Sequence, residues 1–287
     1  MDDVDFDDIP ALYPALARYG RPATLLNWVP GTPGREESSL GGPFLWPADE
    51  PWPVCGLTHD RRSDGSEAHP DGSAVHPVAL LQLRSADAPG LRFPAGRDLL
   101  QLLWCPAPHE EQGFPAPVLV WRDSASLAET LASYPPVHRA QELHRPYPCV
   151  ARPAEVLDFP HPMDLPSDLH KELFGSAEDP EQAEESYEEL VAENWSDKVG
   201  GYAYFAQEAF APACPACDGG MDLLVQLFSQ RPFQDEVSRQ ADAIAATGVE
   251  PTPPADPETR IRFGRMQRLT VFACFTCPDL PTAHDVQ

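Results

Sequence analysis

Cys214-Pro215-Ala216-Cys217, followed by Asp218-Gly219-Gly220, and Cys274-Phe275-Thr276-Cys277 each hold two thiols at i and i+3. At that spacing both sulfurs of a pair can grip one tetrahedral ion if the backbone turns tightly, and Gly219 and Gly220 are expected to permit the turn. Two pairs make a four-thiolate set, the closed coordination of a structural rather than a catalytic zinc. The 56 residues between the pairs exceed the common ribbon spacing. A thioredoxin-like redox pair and a set of inert buried thiols are the alternatives. The redox pair is disfavoured because such a pair opens a helix in a βαβ context, whereas here glycines and a strand-like run follow. The expected metal ligands are therefore Cys214, Cys217, Cys274 and Cys277, with no catalytic residues assigned.

Cys55 with His59, and Cys105 with His109, repeat a Cys-x-x-x-His spacing. Thiolate and imidazole both bind zinc, so a second, Cys2His2 site is chemically open. Decay of a duplicated site would also leave single cysteines beside surface histidines, and that is the preferred reading. Cys149 has no partner pattern and is expected in the core. The sequence lacks a Gly-x-Ser-x-Gly elbow, a phosphate loop, a Gly-x-Gly-x-x-Gly and a His-Glu-x-x-His. His69, His76, His138, His144, His161, His170 and His284 sit in polar or proline-rich context and are expected to be solvated. Trp46-Pro47 and Trp52-Pro53 could line a ligand groove, but core aromatics are the commoner case.

The elements that must position these cysteines are written twice. Gly41-Gly42 and Gly200-Gly201 each open a similar run, with Cys55 and Cys214 at matching distances beyond. Leu80-Leu81-Gln82-Leu83 answers Leu224-Val225-Gln226-Leu227, and the apolar run Leu99 to Trp104 before Cys105 answers Leu269 to Ala273 before Cys274. Self-similarity of this kind predicts an internal duplication. The expected fold is α+β and β-rich, two similar halves packed as a pseudo-symmetric pair. Its parts are a lead-in over 1–35, a first copy over 36–170, an acidic helical linker over 171–197 and a second copy over 198–287. Leu80 to Leu83, Leu99 to Trp104 and Val118 to Trp121 read as strands, two of them apolar enough to be buried on both faces. Helices are expected over Ile9 to Tyr19, from a Ser124 cap through Leu127 and Leu131, and within Ser176 to Asp197, where Tyr187, Leu190 and Val191 share a face. A further helix is expected over Asp235 to Ala246, before a proline-rich loop at 251–254.

The 287 residues carry 45 acids against 20 bases, a formal charge of -25, and 35 prolines. Proline at that density argues against long helices through most of the chain. The charge repels phosphate backbones, which disfavours nucleic acid, and weakly favours a basic partner. The acidic start of the chain is unlike a signal peptide, and there is no apolar run of membrane-spanning length. A cytoplasmic protein is the expectation, and in a reducing compartment paired cysteines bind metal more often than they form disulfides.

The stretches Lys198-Val199-Gly200-Gly201, Cys214 to Cys217 and Leu224 to Leu227, closed by Leu269 to Cys277, resemble the bacterial YwqG-like family of uncharacterised proteins. Ser39 to Pro53 and Pro77 to Leu83 match that family's first half. The second copy is also similar to the programmed-cell-death-2 family, whose matching segment has the Gly-Gly, Cys-Pro-x-Cys, Leu-Leu-Gln and Phe-x-Cys elements in this order. That resemblance implies an escort of a newly made ribosomal protein, so a basic protein client. The expected function is a non-enzymatic, zinc-stabilised protein-interaction or chaperone-like module. A hydrolase-type enzyme with an unfamiliar site between the halves is the alternative.

Overall fold

The computed structural model describes residues 9–58, 74–105, 109, 116–127, 129–135, 145–192, 196–205, 210–229, 261, 263 and 267–287. The expected helix over Asp235 to Ala246 and the loop at 251–254 lie outside them. Among the described residues there are ten strands: β1 (Arg21–Pro30), β2 (Ser39–Leu40), β3 (Val78–Arg84), β4 (Leu99–Cys105), β5 (Ala116–Arg122), β6 (Cys149–Asp158), β7 (Lys198–Gly200), β8 (Asp222–Phe228), β9 (Arg268–Ala273) and β10 (Thr282–Val286). They form a single sheet in the order β10-β9-β8-β7-β1-β6-β2-β3-β4-β5, and every pairing is antiparallel. The protein is thus a sheet-rich α+β fold with few helices.

That order reads the same from either end when β1 to β5 are exchanged with β6 to β10. The registers follow the same exchange. Gln82 stands opposite Gln101 as Gln226 stands opposite Thr270, and the two ladders carry a bulge at the same place, between Ala79 and Leu81 and between Leu223 and Val225. Both glutamines are fully buried and accept from the amide four residues past the first glycine of a pair. Leu45 N donates to Gln82 Oε1 at 2.8 Å, and Tyr204 N to Gln226 Oε1 at 3.2 Å.

Period-two alternation decides where each side chain goes. On β4, Leu100, Leu102 and Trp104 enter the main core, which also takes Leu26 and Trp28 of β1, Cys149 of β6, Val199 of β7, and Leu269 and Val271 of β9. The opposite face of β4 carries Leu103 under a lid of Phe44, Trp46 and Trp52. Hence all seven residues of β4 are buried, and Trp46 and Trp52 belong to the core, Trp52 also bordering a cavity. The rings of Trp121 on β5 and Phe275 just past β9 meet edge-on with centroids 6.3 Å apart. The two ends of the sheet therefore curl toward each other around the core, close to a barrel.

β1 and β6 form the longest ladder, Arg21↔Asp158 through Pro30↔Cys149. Pro153 survives in it because Leu26, its partner, donates its N–H at 2.6 Å to Asp197 O, on the far side of β1. Leu26 and Pro153 are therefore a non-hydrogen-bonded pair, and the prolyl nitrogen faces the edge that the two-residue β2 leaves uncovered.

The helices differ from expectation in their extents. The N-terminal one is a single turn, α1 (Ile9–Leu12), and Pro14 starts a separate 3₁₀ stretch, Pro14–Tyr19. Only a 3₁₀ turn, Ser124–Ser126, forms where a helix through Leu127 and Leu131 was expected, and its cap is Asp123, which accepts from Ala125 N at 3.1 Å. Leu131 N instead donates to Trp46 O, tying that segment to the lid. In the acidic stretch α3 (Pro180–Ala192) does form, preceded by an unexpected α2 (Ser167–Phe174). Tyr187 and Val191 of α3 pack on Phe174, Leu169 and Ile9 in a second cluster, each such burial worth roughly 1.5–3 kcal/mol. Glu181, Glu185 and Glu189 of α3 lie along its outer side, whereas Glu184 and Glu188 are half-buried.

Gly41 and Gly200, ending β2 and β7, have φ of +59° and +70°. A Cβ at Gly200 would collide with the Gly90 carbonyl as well as strain the backbone. Gly200→Ala is expected to cost about 2 kcal/mol or more in urea denaturation. Gly56→Ala, where a Cβ meets nothing within 4 Å, should stay within about 0.5 kcal/mol of the parent; equal losses would show that the close approach is not what demands glycine.

Candidate metal centre

Each outer face of the sheet is covered by the segment that follows a glycine pair, and each covering segment ends at a cysteine. In the second half Phe205 and Phe210 pack on Phe272 of β9, with ring centroids 6.3 and 5.8 Å apart. The chain then makes a narrow hairpin bridged between Ala213 and Gly220. Inside it Cys214 N donates to Gly219 O at 2.8 Å and Asp218 N to Cys214 O at 2.9 Å. The residue that takes the left-handed conformation is Asp218, at φ +53°, rather than Gly219 or Gly220 as expected. Aspartate visits that region more readily than most residues. The second pair turns differently. Cys274 N donates to Pro281 O and Leu280 N to Cys277 O, with Leu280 at φ +47°.

These two turns bring four sulfurs together, all within 4.8 Å of one another. Cys214 Sγ lies 3.8 Å from Cys277 Sγ, and Cys217 Sγ lies 3.8 Å from Cys274 Sγ. A zinc ion with Zn–S bonds of about 2.3 Å sets tetrahedral S···S edges of about 3.8 Å. A disulfide would need about 2.05 Å, and none of these four cysteines is in one. Contacts run between the pairs as well as within them, which fits one four-sulfur cluster better than two separate redox couples. The four thiols therefore stand close enough to hold one metal ion.

The backbone prepares one of these sulfurs for the thiolate state. Amides of Cys277 and Thr276 hold the Cys274 thiol down to about 6, whereas the hydrogen bond to Cys217 pushes Cys277 up to about 12. A divalent cation bound by the four sulfurs would displace the protons they still carry. Cys214 and Cys274 are buried, Cys277 is half-buried and Cys217 exposed, so the centre sits at the surface with one corner toward solvent. Compared with models of known protein families and with curated proteins, the chain matches none.

The first half presents a smaller group. Cys55, Cys105 and His109 place one ligand atom each within 4.8 Å of the others, and Cys55 Sγ lies 3.4 Å from His109 Nε2. His109 is only 4 % exposed, so it is not the surface histidine that decay of a site would leave. His59 lies outside the described residues, as do His69, His138 and His144. His161 is half-buried and paired with Glu188 at 3.1 Å, and His170 reaches Glu184 at 3.2 Å, rather than being simply solvated. Cys149 is fully buried in the core.

A cavity of about 600 Å³ opens beside the first lid, where Arg35, Trp52, Tyr134 and Arg145 line it. Burial pushes the Tyr134 hydroxyl up, and its oxygen bonds the backbone of Phe44. No histidine, cysteine or carboxylate stands among the described residues of its wall. Among the described residues no helix is long and apolar enough to cross a membrane.

Proposed function

We propose that this chain is a non-enzymatic, zinc-stapled module that engages a basic protein client. Its acidic surface carries the functional part of that reading: 45 acids against 20 bases, with Glu178, Asp179, Glu181, Glu185 and Glu189 exposed along and just before α3. Such a face attracts lysine- and arginine-rich segments and repels nucleic acid. The resemblance of the second copy to the programmed-cell-death-2 family points the same way, toward an escort of a basic protein. Zinc held by Cys214, Cys217, Cys274 and Cys277 is structural in this reading, because four protein thiolates leave no position for a substrate.

The architecture is an internal duplication whose units run from β1 to β5 and from β6 to β10, each lending its first strand to the other half. The self-reversing strand order, the matched bulges and the paired glutamines support it. In such a pair β1 belongs with the first unit although it hydrogen-bonds β7, and β6 with the second although it bonds β2.

The test is fluorescence anisotropy with a labelled peptide of alternating arginine and lysine, at low and high salt. Binding is expected to weaken by about tenfold or more on charge reversal at Glu181, Glu185 and Glu189 together, and to fall as salt screens the face. No binding at low salt, or binding indifferent to the triple reversal, would overturn the assignment to this face.

A further inference from the structure

We infer that the chain holds a second zinc ion, bound by Cys55, Cys105 and His109. Three observations converge on it, and none depends on the client reading above. First, the three donors come from two separate segments: Cys55 from the lid that follows Gly41-Gly42, and Cys105, at the last position of β4, with His109 four residues on. Their ligand atoms nevertheless lie within 4.8 Å of one another. A tetrahedral ion with a Zn–S bond of about 2.3 Å and a Zn–N bond of about 2.05 Å sets an S···N edge of about 3.6 Å. The observed Cys55 Sγ to His109 Nε2 separation is 3.4 Å.

Second, the group occupies the counterpart of the four-cysteine centre. Opposite strand positions in the two ladders align Gln101 with Thr270. Counting forward from each, Cys105 falls where Cys274 falls, both on the outer face of the sheet just where the strand ends. Cys55 follows Gly41 by the same interval as Cys214 follows Gly200. In both halves, then, a thiol at the end of the lid meets a thiol at the end of the inner strand. The lid thiol's own amide is bonded in each case, Cys55 N donating to Val75 O and Cys214 N to Gly219 O, both at 2.8 Å. Imidazole from His109 takes the part that Cys277 plays, one residue further along.

Third, the surroundings suit a neutral metal complex. Cys105 is fully buried and His109 nearly so, among Val75 and Ala116 with Leu57 alongside. Two thiolates cancel the charge of a zinc ion, so the complex enters this apolar pocket without the cost of an unpaired charge. Soft sulfur donors with one imidazole select zinc over magnesium or calcium. Bound there, the ion would pin the first lid, with Phe44, Trp46 and Trp52, onto β4 as the four-cysteine centre pins the second lid onto β9.

The experiment is metal counting by plasma mass spectrometry on reduced, untagged protein saturated with zinc and then desalted. The wild type is expected to hold two ions per chain, His109→Ala and Cys55→Ser each one, and Cys217→Ser/Cys277→Ser one. X-ray absorption at the zinc edge of Cys217→Ser/Cys277→Ser should then find two sulfurs and at least one nitrogen on the remaining ion. That last variant leaves the first half untouched, so the result stands even if His109→Ala or Cys55→Ser fails to fold. One ion per chain, lost in Cys217→Ser/Cys277→Ser, would overturn the proposal, as would two ions that survive both His109→Ala and Cys55→Ser. One ion lost in His109→Ala but kept in Cys217→Ser/Cys277→Ser would uphold it while contradicting the four-cysteine centre.

Discussion

Cys274→Ser should lower stability by at least about 3 kcal/mol, far more than a nearly isosteric change in packing accounts for. The sulfur is buried and lies 3.8 Å from that of Cys217, so the substitution removes the ligand that the Cys277 and Thr276 amides hold ready as a thiolate. Structural zinc sites in small domains supply roughly 10–16 kcal/mol of apparent binding energy at neutral pH. Part of that is recovered by the unfolded cysteines, which also bind metal. For a chain of this size about 1 kcal/mol moves the melting temperature by about 2–4 °C, so calorimetry should register a fall of about 6 °C or more. Chelator should destabilise the wild type in the same direction and shift the variant less. A variant that melts with the wild type would mean that the sulfur cluster holds no stabilising ion.

A loss of similar size is expected at the junction of the halves, where Lys198 Nζ reaches Asp158 Oδ2 at 2.8 Å with both side chains almost wholly buried. The same carboxylate accepts from Tyr202 N at 2.8 Å and from Phe159 N at 3.1 Å, and so fixes the chain where Gly200-Gly201 leaves β7. Asp158→Ala strips the ammonium of its nearest carboxylate and is expected to cost about 3–5 kcal/mol. Asp158→Asn with Lys198→Met keeps an acceptor for Tyr202 N and removes both charges, so it should recover most of that loss. Ser39, which stands opposite Gln82 as Lys198 stands opposite Gln226, already shows an uncharged side chain at the matching place in the first half. Urea denaturation of the three proteins measures this. If the double variant is as unstable as Asp158→Ala, the loss lies in packing rather than in the stranded charge.

The inner strands were legible because Leu99 to Trp104 and Leu269 to Ala273 are apolar except at Gln101 and Thr270, the signature of burial on both faces. β1 and β6 were not. They carry prolines at 22, 30 and 153, and only the pairing through Leu26 shows why Pro153 needs no donor toward β1. For the same reason the lead-in and the end of the first copy, drawn from repeated motifs alone, did not reveal that these two strands form the centre of the sheet. The helix expected from Leu127 and Leu131 failed because a spacing of four records which residues are apolar, not which neighbour claims them; here Trp46 O claims Leu131 N. At the four-cysteine group the spacing was sufficient to single out, across 56 intervening residues, four thiols that stand close enough to hold one metal ion. What spacing could not give was the turn itself, which rests on Asp218 and Leu280 in the left-handed region. Nor could it give the burial of His109, which depends on the lid folding back over β4.

The most direct test of zinc at the four-cysteine centre is Cys217→Ser, because Cys217 is exposed and its replacement disturbs no core. Zinc per chain and the melting temperature are measured together on wild type and variant. One zinc fewer per chain, with a lowered melting temperature, is the predicted result; unchanged zinc content and unchanged melting would contradict the account.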